Sequence, residues 1–236
     1  MRIPYKTKLL VAASIITVVF IAGCVDTSVN PIPPRIDYSS QLKVVNLVTG
    51  VSQTALTLNG TSLGTADFGS EVPGSGSAFL TLGAGSKTLI ANFSSAVDTF
   101  KFALDTDYKY RVFLVGAASS SNAVKIAQRY IWQTKDSKDG AKLFPADTGW
   151  VAFFNGSPDA VLNSVSISGT STSLGNLAMG EGSAYIKLPA GNYTFDVTYD
   201  TDQNVTFDYT VASKGRYTAV IYDAAASIKN TVFIDD

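Results

Sequence analysis

The chain of 236 residues carries 18 basic and 19 acidic side chains, one cysteine and no histidine. Without histidine there is no Ser-His-Asp or Cys-His catalysis, no histidine-ligated zinc, and no side-chain base that titrates near neutrality unperturbed. There is no basic excess to meet a phosphate backbone, which argues against nucleic acid as a partner.

The first elements are N-terminal. Arg2, Lys6 and Lys8, with no acid among them, precede the uncharged and mostly apolar run Leu9–Phe20. A membrane-spanning helix takes roughly 20 apolar residues, so length and flanks predict a cleaved secretory signal over residues 1–23. The segment closes with Ile21-Ala22-Gly23-Cys24, which resembles the lipobox of bacterial lipoproteins. That resemblance implies cleavage between Gly23 and Cys24, diacylglycerol on the Cys24 thiol, and an acylated mature N-terminus. The alternative is an ordinary signal peptide with a chance cysteine. Cys24 has no intrachain disulfide partner, and a thiol given to lipid is no nucleophile. Several acyl chains anchor stably where one is marginal. The expected location is therefore the bacterial cell envelope, on the outer membrane, facing the periplasm or the outside. Cleavage removes three bases and no acid, leaving 15 basic against 19 acidic side chains.

Residues 24–40 contain Pro31, Pro33 and Pro34 without period-2 or helical patterning, and read as a tether. From Leu42 onward, short apolar runs alternate with turn residues and no amphipathic helix stands out. An internal repeat organises them. Val44-Val45-Asn46 corresponds to Phe153-Phe154-Asn155, and each is followed at the same distance by a strand-like run ending in glycine, Gly60 and Gly169. The segment Gly76–Gly85 corresponds to Gly182–Gly191, and Tyr110–Leu114 to Tyr217–Ile221. Each copy, at about 90 residues, has the size of one β-sandwich. The fold expected is thus all-β, with two separate tandem antiparallel sandwiches (Ig-like or prealbumin-like) over residues 41–133 and 150–236. A polar linker at 134–149 joins them, flanked by Trp132 and Trp150, which either meet at an interdomain contact or close the edge of each core.

The second copy carries Asn155-Gly156-Ser157-Pro158-Asp159-Ala160, Leu177 with Gly180, Leu188-Pro189-Ala190-Gly191-Asn192-Tyr193 and Gly215-Arg216-Tyr217-Thr218. In these residues it resembles the DUF4397 family, domains of unknown function found mainly in bacterial exported proteins. The resemblance implies a β-sandwich and an envelope location, and brings no established activity. The first copy departs from it, with Leu47-Val48-Thr49-Gly50 where Ser-Pro-Asp is expected and no proline in Leu82-Gly83-Ala84-Gly85. Physically, Pro189-Ala190-Gly191-Asn192 is turn chemistry, with Gly191 free to take positive φ, and the Asp159 carboxylate is placed to cap a turn.

Carboxylates are the remaining familiar catalytic groups. In Tyr193–Tyr199 and Val205–Val211 large apolar residues alternate with Thr and Asp, so each run has a core side and a water side. Pairing Tyr199 with Val205 sets Asp196 opposite Asp208, with Cβ atoms about 4.5–5.5 Å apart, a spacing suited to a cation or a retaining hydrolase. A two-residue slip would place threonine opposite Asp196 instead. Asp105-Thr106-Asp107 and the loop containing Asp200 and Asp202 are oxygen-rich, but calcium takes six to eight oxygen ligands and each loop alone offers too few. The reading expected from sequence is a lipid-anchored protein without cofactor or metal. Its two non-catalytic sandwiches serve a binding, adhesion or structural role, with a glycan, peptide or protein as ligand. The alternative is an accessory or hydrolytic protein acting on polysaccharide through carboxylates.

Overall fold

A computed structural model describes residues 38–93, 96–118, 124–131, 147–168, 170–200 and 202–235. The signal, Gly23, Cys24, the tether up to residue 37, Trp132 and the linker up to residue 146 lie outside the described residues.

The first half contains β1 (Ser39–Thr49), β2 (Gln53–Leu58), β3 (Thr61–Asp67), β4 (Glu71–Val72), β5 (Leu80–Gly83), β6 (Gly85–Asn92), β7 (Val97–Leu104), β8 (Lys109–Ala117) and β9 (Lys125–Ile131). The second half contains β10 (Thr148–Gly156), β11 (Leu162–Ile167), β12 (Thr170–Leu177), β13 (Ile186–Pro189), β14 (Gly191–Tyr199), β15 (Gln203–Val211), β16 (Arg216–Tyr222) and β17 (Lys229–Ile234). In the first half, one sheet runs β4-β1-β8-β9 with β5 also on β1, and the other runs β3-β2-β6-β7. In the second half the orders are β13-β10-β16-β17 and β12-β11-β14-β15. The same plan thus appears twice, and the all-β sandwich class expected from sequence is the class observed.

Two features differ from expectation. At the centre of each half the pairing is parallel, β1 with β8 and β10 with β16. These partners are far apart in sequence and joined through the other sheet, so no hairpin forces them antiparallel. Parallel pairs also belong where both faces are covered. The second difference is that Tyr38–Asp236 forms one compact unit rather than two separate sandwiches. Leu42, Val44, Val48, Val112 and Leu114 face β2 and β6 across the first core. Val151, Phe153, Ala219 and Ile221 meet Val165, Phe195 and Val197 in the second. The alternate residues on the same strands build a third core. Val45, Leu47, Phe113 and Val115 pack there against Phe154, Val220, Tyr222 and Phe233. Phe113 stacks on Phe154 with ring centres 4.0 Å apart. Tyr38–Asp236 is a stack of four sheets, and the central strands of the two inner sheets, β1, β8, β10 and β16, are buried on both faces, which is why they read as nearly unbroken apolar runs.

Buried asparagines tie each half to its own loops. Asn46 donates Nδ2–H to the Ala66 carbonyl and accepts the Val48 N–H. Asn155 donates to the Ala160 and Leu177 carbonyls and accepts the Ser157 N–H. The residues Ser157 and Asp159 continue that network. Ser157 Oγ accepts the Ala160 N–H at 3.2 Å, while Asp159 Oδ1 accepts the Ala225 N–H at 2.7 Å and so reaches the loop after β16, 66 residues on, instead of capping its own turn. Gly191 departs from expectation: it lies outside the left-handed region and begins β14, paired with Val211.

Candidate functional site: the charged seam between the two halves

Successive residues of a strand point to opposite faces, so β8 directs Tyr110, Val112 and Leu114 into the first core and Arg111, Phe113 and Val115 into the seam. Arg111 is fully buried. A guanidinium does not give up its charge, so burial requires charged and polar partners around it. Arg111 Nε donates to Glu71 Oε2 at 3.0 Å, Nη1 donates to the Asp235 carboxylate, and Nη2 donates to the Ile234 carbonyl at 3.0 Å. Glu71 belongs to the first half and Asp235 follows β17, so one side chain ties the two halves together.

The remaining carboxylate oxygens are also engaged. Glu71 Oε1 accepts Lys43 Nζ at 2.6 Å. Asp235 Oδ2 accepts Thr218 Oγ1 and Tyr185 Oη, each at 2.7 Å. Lys109 Nζ donates to the Asp235 carbonyl at 3.1 Å. The Phe79 ring sits among three cations, with Lys109 Nζ 4.8 Å, Lys43 Nζ 5.1 Å and Arg111 Cζ 5.5 Å from its centre. Phe233 covers Arg111 at 4.9 Å. Aromatic faces attract such cations more strongly when water is excluded. Burial lowers the Lys109 pKa below its ordinary value. Arg216 pushes it the same way, Asp235 opposes, and Arg111 adds to the lowering. With its carboxylate oxygens committed to cations and hydroxyls, the seam is built to hold charge in place and to clamp the halves.

The carboxylates singled out in the sequence lie elsewhere. Tyr199 pairs with Gln203, so Asp196 stands opposite Thr206 and Asp208 opposite Thr194. This corrects the expected facing pair: the two aspartates are diagonal neighbours, about 7–8 Å apart by strand geometry. Thr206 Oγ1 donates to Asp196 at 3.0 Å and Thr194 Oγ1 donates to Asp208 at 2.6 Å. Alternating each acid with a threonine avoids the repulsion that direct opposition would create. Asp208 also lines a shallow hollow of about 390 Å³ with Asn192, Tyr209 and Thr210. Burial raises the Tyr209 pKa there, and Tyr217 and Asp235 add to the rise.

Asp200 takes φ +52° in the β14–β15 turn, where Oδ1 accepts the Val161 N–H at 3.0 Å and its carbonyl accepts Asn163 Nδ2. Asp202 is exposed in the same turn and accepts Gln203 Nε2 at 3.4 Å. Asp105 accepts Tyr110 Oη at 2.9 Å. Among the described residues no three His, Cys, Asp or Glu side chains converge in a metal-binding group. Trp150 is half-buried at the seam side of β10, with Lys187 Nζ 6.0 Å from its ring.

Sequence reading missed Lys43, Glu71, Arg111 and Asp235. A signal was present in Tyr110-Arg111-Val112-Phe113-Leu114, a lone arginine inside an apolar strand, because charged residues are almost never fully buried unless paired. A second was the repeated Gly-Ser-Ala segment, whose corresponding Phe79 and Tyr185 both reach the seam.

Residues 149–236 match the family described as a domain of unknown function, DUF4397. No curated protein matches the chain.

Proposed function

We propose that this is a lipid-anchored cell-envelope protein whose β-sandwich halves form a non-catalytic scaffold for binding, adhesion or structure. The first half is read as a second, diverged copy of the DUF4397 domain. Its strand order is that of the matched half, and Asn46 and Asn155 bond in corresponding ways. The anchor is read from Ile21-Ala22-Gly23-Cys24, with acylation at Cys24 and an outer-membrane location.

The observation that carries the scaffold reading is the Arg111–Glu71–Asp235 clamp. It spends the buried charges on fixing one half against the other, and the half-buried Asp196 and exposed Asp208 are engaged by threonines. Such a body holds its end loops at fixed separations, and loops on a rigid scaffold are where ligands are met. The loops at 50–52, 157–161 and 223–228, following β1, β10 and β16, share the end of the stack opposite Tyr38. They are the proposed contact region, with a glycan, peptide or envelope protein as ligand.

The test is a binding screen of the mature chain against cell-envelope glycans and proteins. The expected result is saturable binding that Val161→Glu weakens at least tenfold with Tm unchanged. Release of new reducing ends from a polysaccharide by the wild type, abolished by Asp208→Asn, would overturn this reading in favour of the hydrolytic one. Incorporation of labelled palmitate into the wild type and its loss in Cys24→Ser tests the anchor.

A further inference from the structure

The two ends of the four-sheet stack differ in their aromatic residues. At the end where β1 begins, Tyr38 is 59 %, Tyr108 39 % and Ile234 54 % exposed. Trp150, Tyr185 and Tyr209 are half-buried around the same rim. Strand register and side-chain contacts place them together: Tyr185 Oη donates to Asp235 beside Ile234, and the Tyr209 ring packs on Tyr217. Gln41 pairs with Lys109 just beyond Tyr108, Trp150 pairs with Arg216, and Tyr217 pairs with Ile234. Arg111, bonded to the Ile234 carbonyl, brings both halves to a common rim. At the opposite end, Tyr199 and Tyr222 are each buried to 8 % exposure, and Val97 and Val161 are the large apolar residues in the open.

Tyrosine and tryptophan have an apolar body and a polar tip, and they concentrate where hydrocarbon meets water. The rim that carries them is also the one from which the chain leads back to residue 24. Only residues 25–37 separate Cys24 from Tyr38. A coil of that length has a root-mean-square reach of about 20 Å and a fully extended limit of roughly 50 Å. An acyl chain at Cys24 would therefore hold this rim at high effective concentration near the bilayer, where a weak contact suffices.

We infer that the β1-start rim, through Tyr38, Tyr108 and Ile234 with Trp150, Tyr185 and Tyr209 behind them, is a docking surface for the headgroup region of the bilayer carrying the anchor. The inference rests on the lipid-anchor reading. Charge on the rim is mixed, with exposed Lys187 and Lys214 against exposed Asp105, Asp107 and Asp147. The contact is therefore made by amphipathic rings and does not depend on anionic lipid. It leaves the loops at the far end pointing away from the membrane.

The test uses the full acylated protein in phosphatidylethanolamine vesicles, with and without phosphatidylglycerol. A bimane probe is placed on a single introduced thiol, Ile234→Cys or Val161→Cys, and quenched by brominated lipid. Quenching at position 234 should exceed that at 161 several-fold, with or without phosphatidylglycerol. Adding Tyr38→Ser and Tyr108→Ser should cut it at least by half with Tm unchanged. Equal, weak quenching at both positions in protein that still floats with the vesicles overturns the docking surface and leaves the anchor standing. Failure of the wild type to float overturns the anchor reading and the docking surface with it.

Discussion

Two pairs of carboxylates in this molecule have surroundings that separate what burial demands from what a strand surface allows. In the seam, Glu71 and Asp235 lie out of water and are met by Lys43, Arg111, Thr218 and Tyr185. On the outer sheet, Asp196 and Asp208 remain partly or fully exposed and are each met by one threonine hydroxyl. An ion in low dielectric is strongly penalised unless paired, whereas a hydrated carboxylate needs only the absence of a like charge opposite. The first arrangement pins distant parts of the chain together. The second decorates a sheet.

The contrast sets an order of expected effects. Arg111→Met leaves two carboxylates buried without their guanidinium and should cost about 3–5 kcal/mol. Asp208→Asn should stay within about 0.5 kcal/mol. Urea unfolding of both variants measures the difference, and similar losses would break the comparison. Asn155→Ala sharpens it from the neutral side. It strands the Ala160 and Leu177 carbonyls and the Ser157 N–H, a loss of about 1–3 kcal/mol in the same assay.

A small effect is expected at the end of the stack opposite Tyr38, in the loop after β16. Burial tends to raise the Asp223 pKa, but Lys229 at 3.0 Å and the Ala224 N–H at 2.9 Å outweigh it and hold the carboxyl below 3.8. A carboxyl whose folded pKa lies below its unfolded one stabilises fully above the unfolded value, and that contribution disappears as pH falls through the folded one. Lys229 is half exposed, so Lys229→Met should cost about 0.2–1 kcal/mol at neutral pH. Its Tm deficit should close as the buffer is taken well below pH 3.8.

Much of this architecture was legible in the residues. Alternation in Tyr193–Tyr199 and Val205–Val211 identified β14 and β15 and their water sides. The repeated Asn46 and Asn155 marked corresponding points in the two halves. The register of β14 with β15 was not legible, because a two-residue shift keeps every apolar side chain on the core face. What changes is whether an acid faces an acid or a threonine. Repulsion between Asp196 and Asp208 favours the register that is observed.

The sequence alone determined the all-β class of the fold and the missing histidine chemistry. These follow from local period and composition. The seam was decided only by tertiary structure. Arg111 and Asp235 are 124 residues apart, and no local pattern states that the second faces of β1, β8, β10 and β16 close on one another. An apolar strand buried on one face differs little in sequence from one buried on both, and the buried charges acquire their meaning only when the sheets that carry them meet.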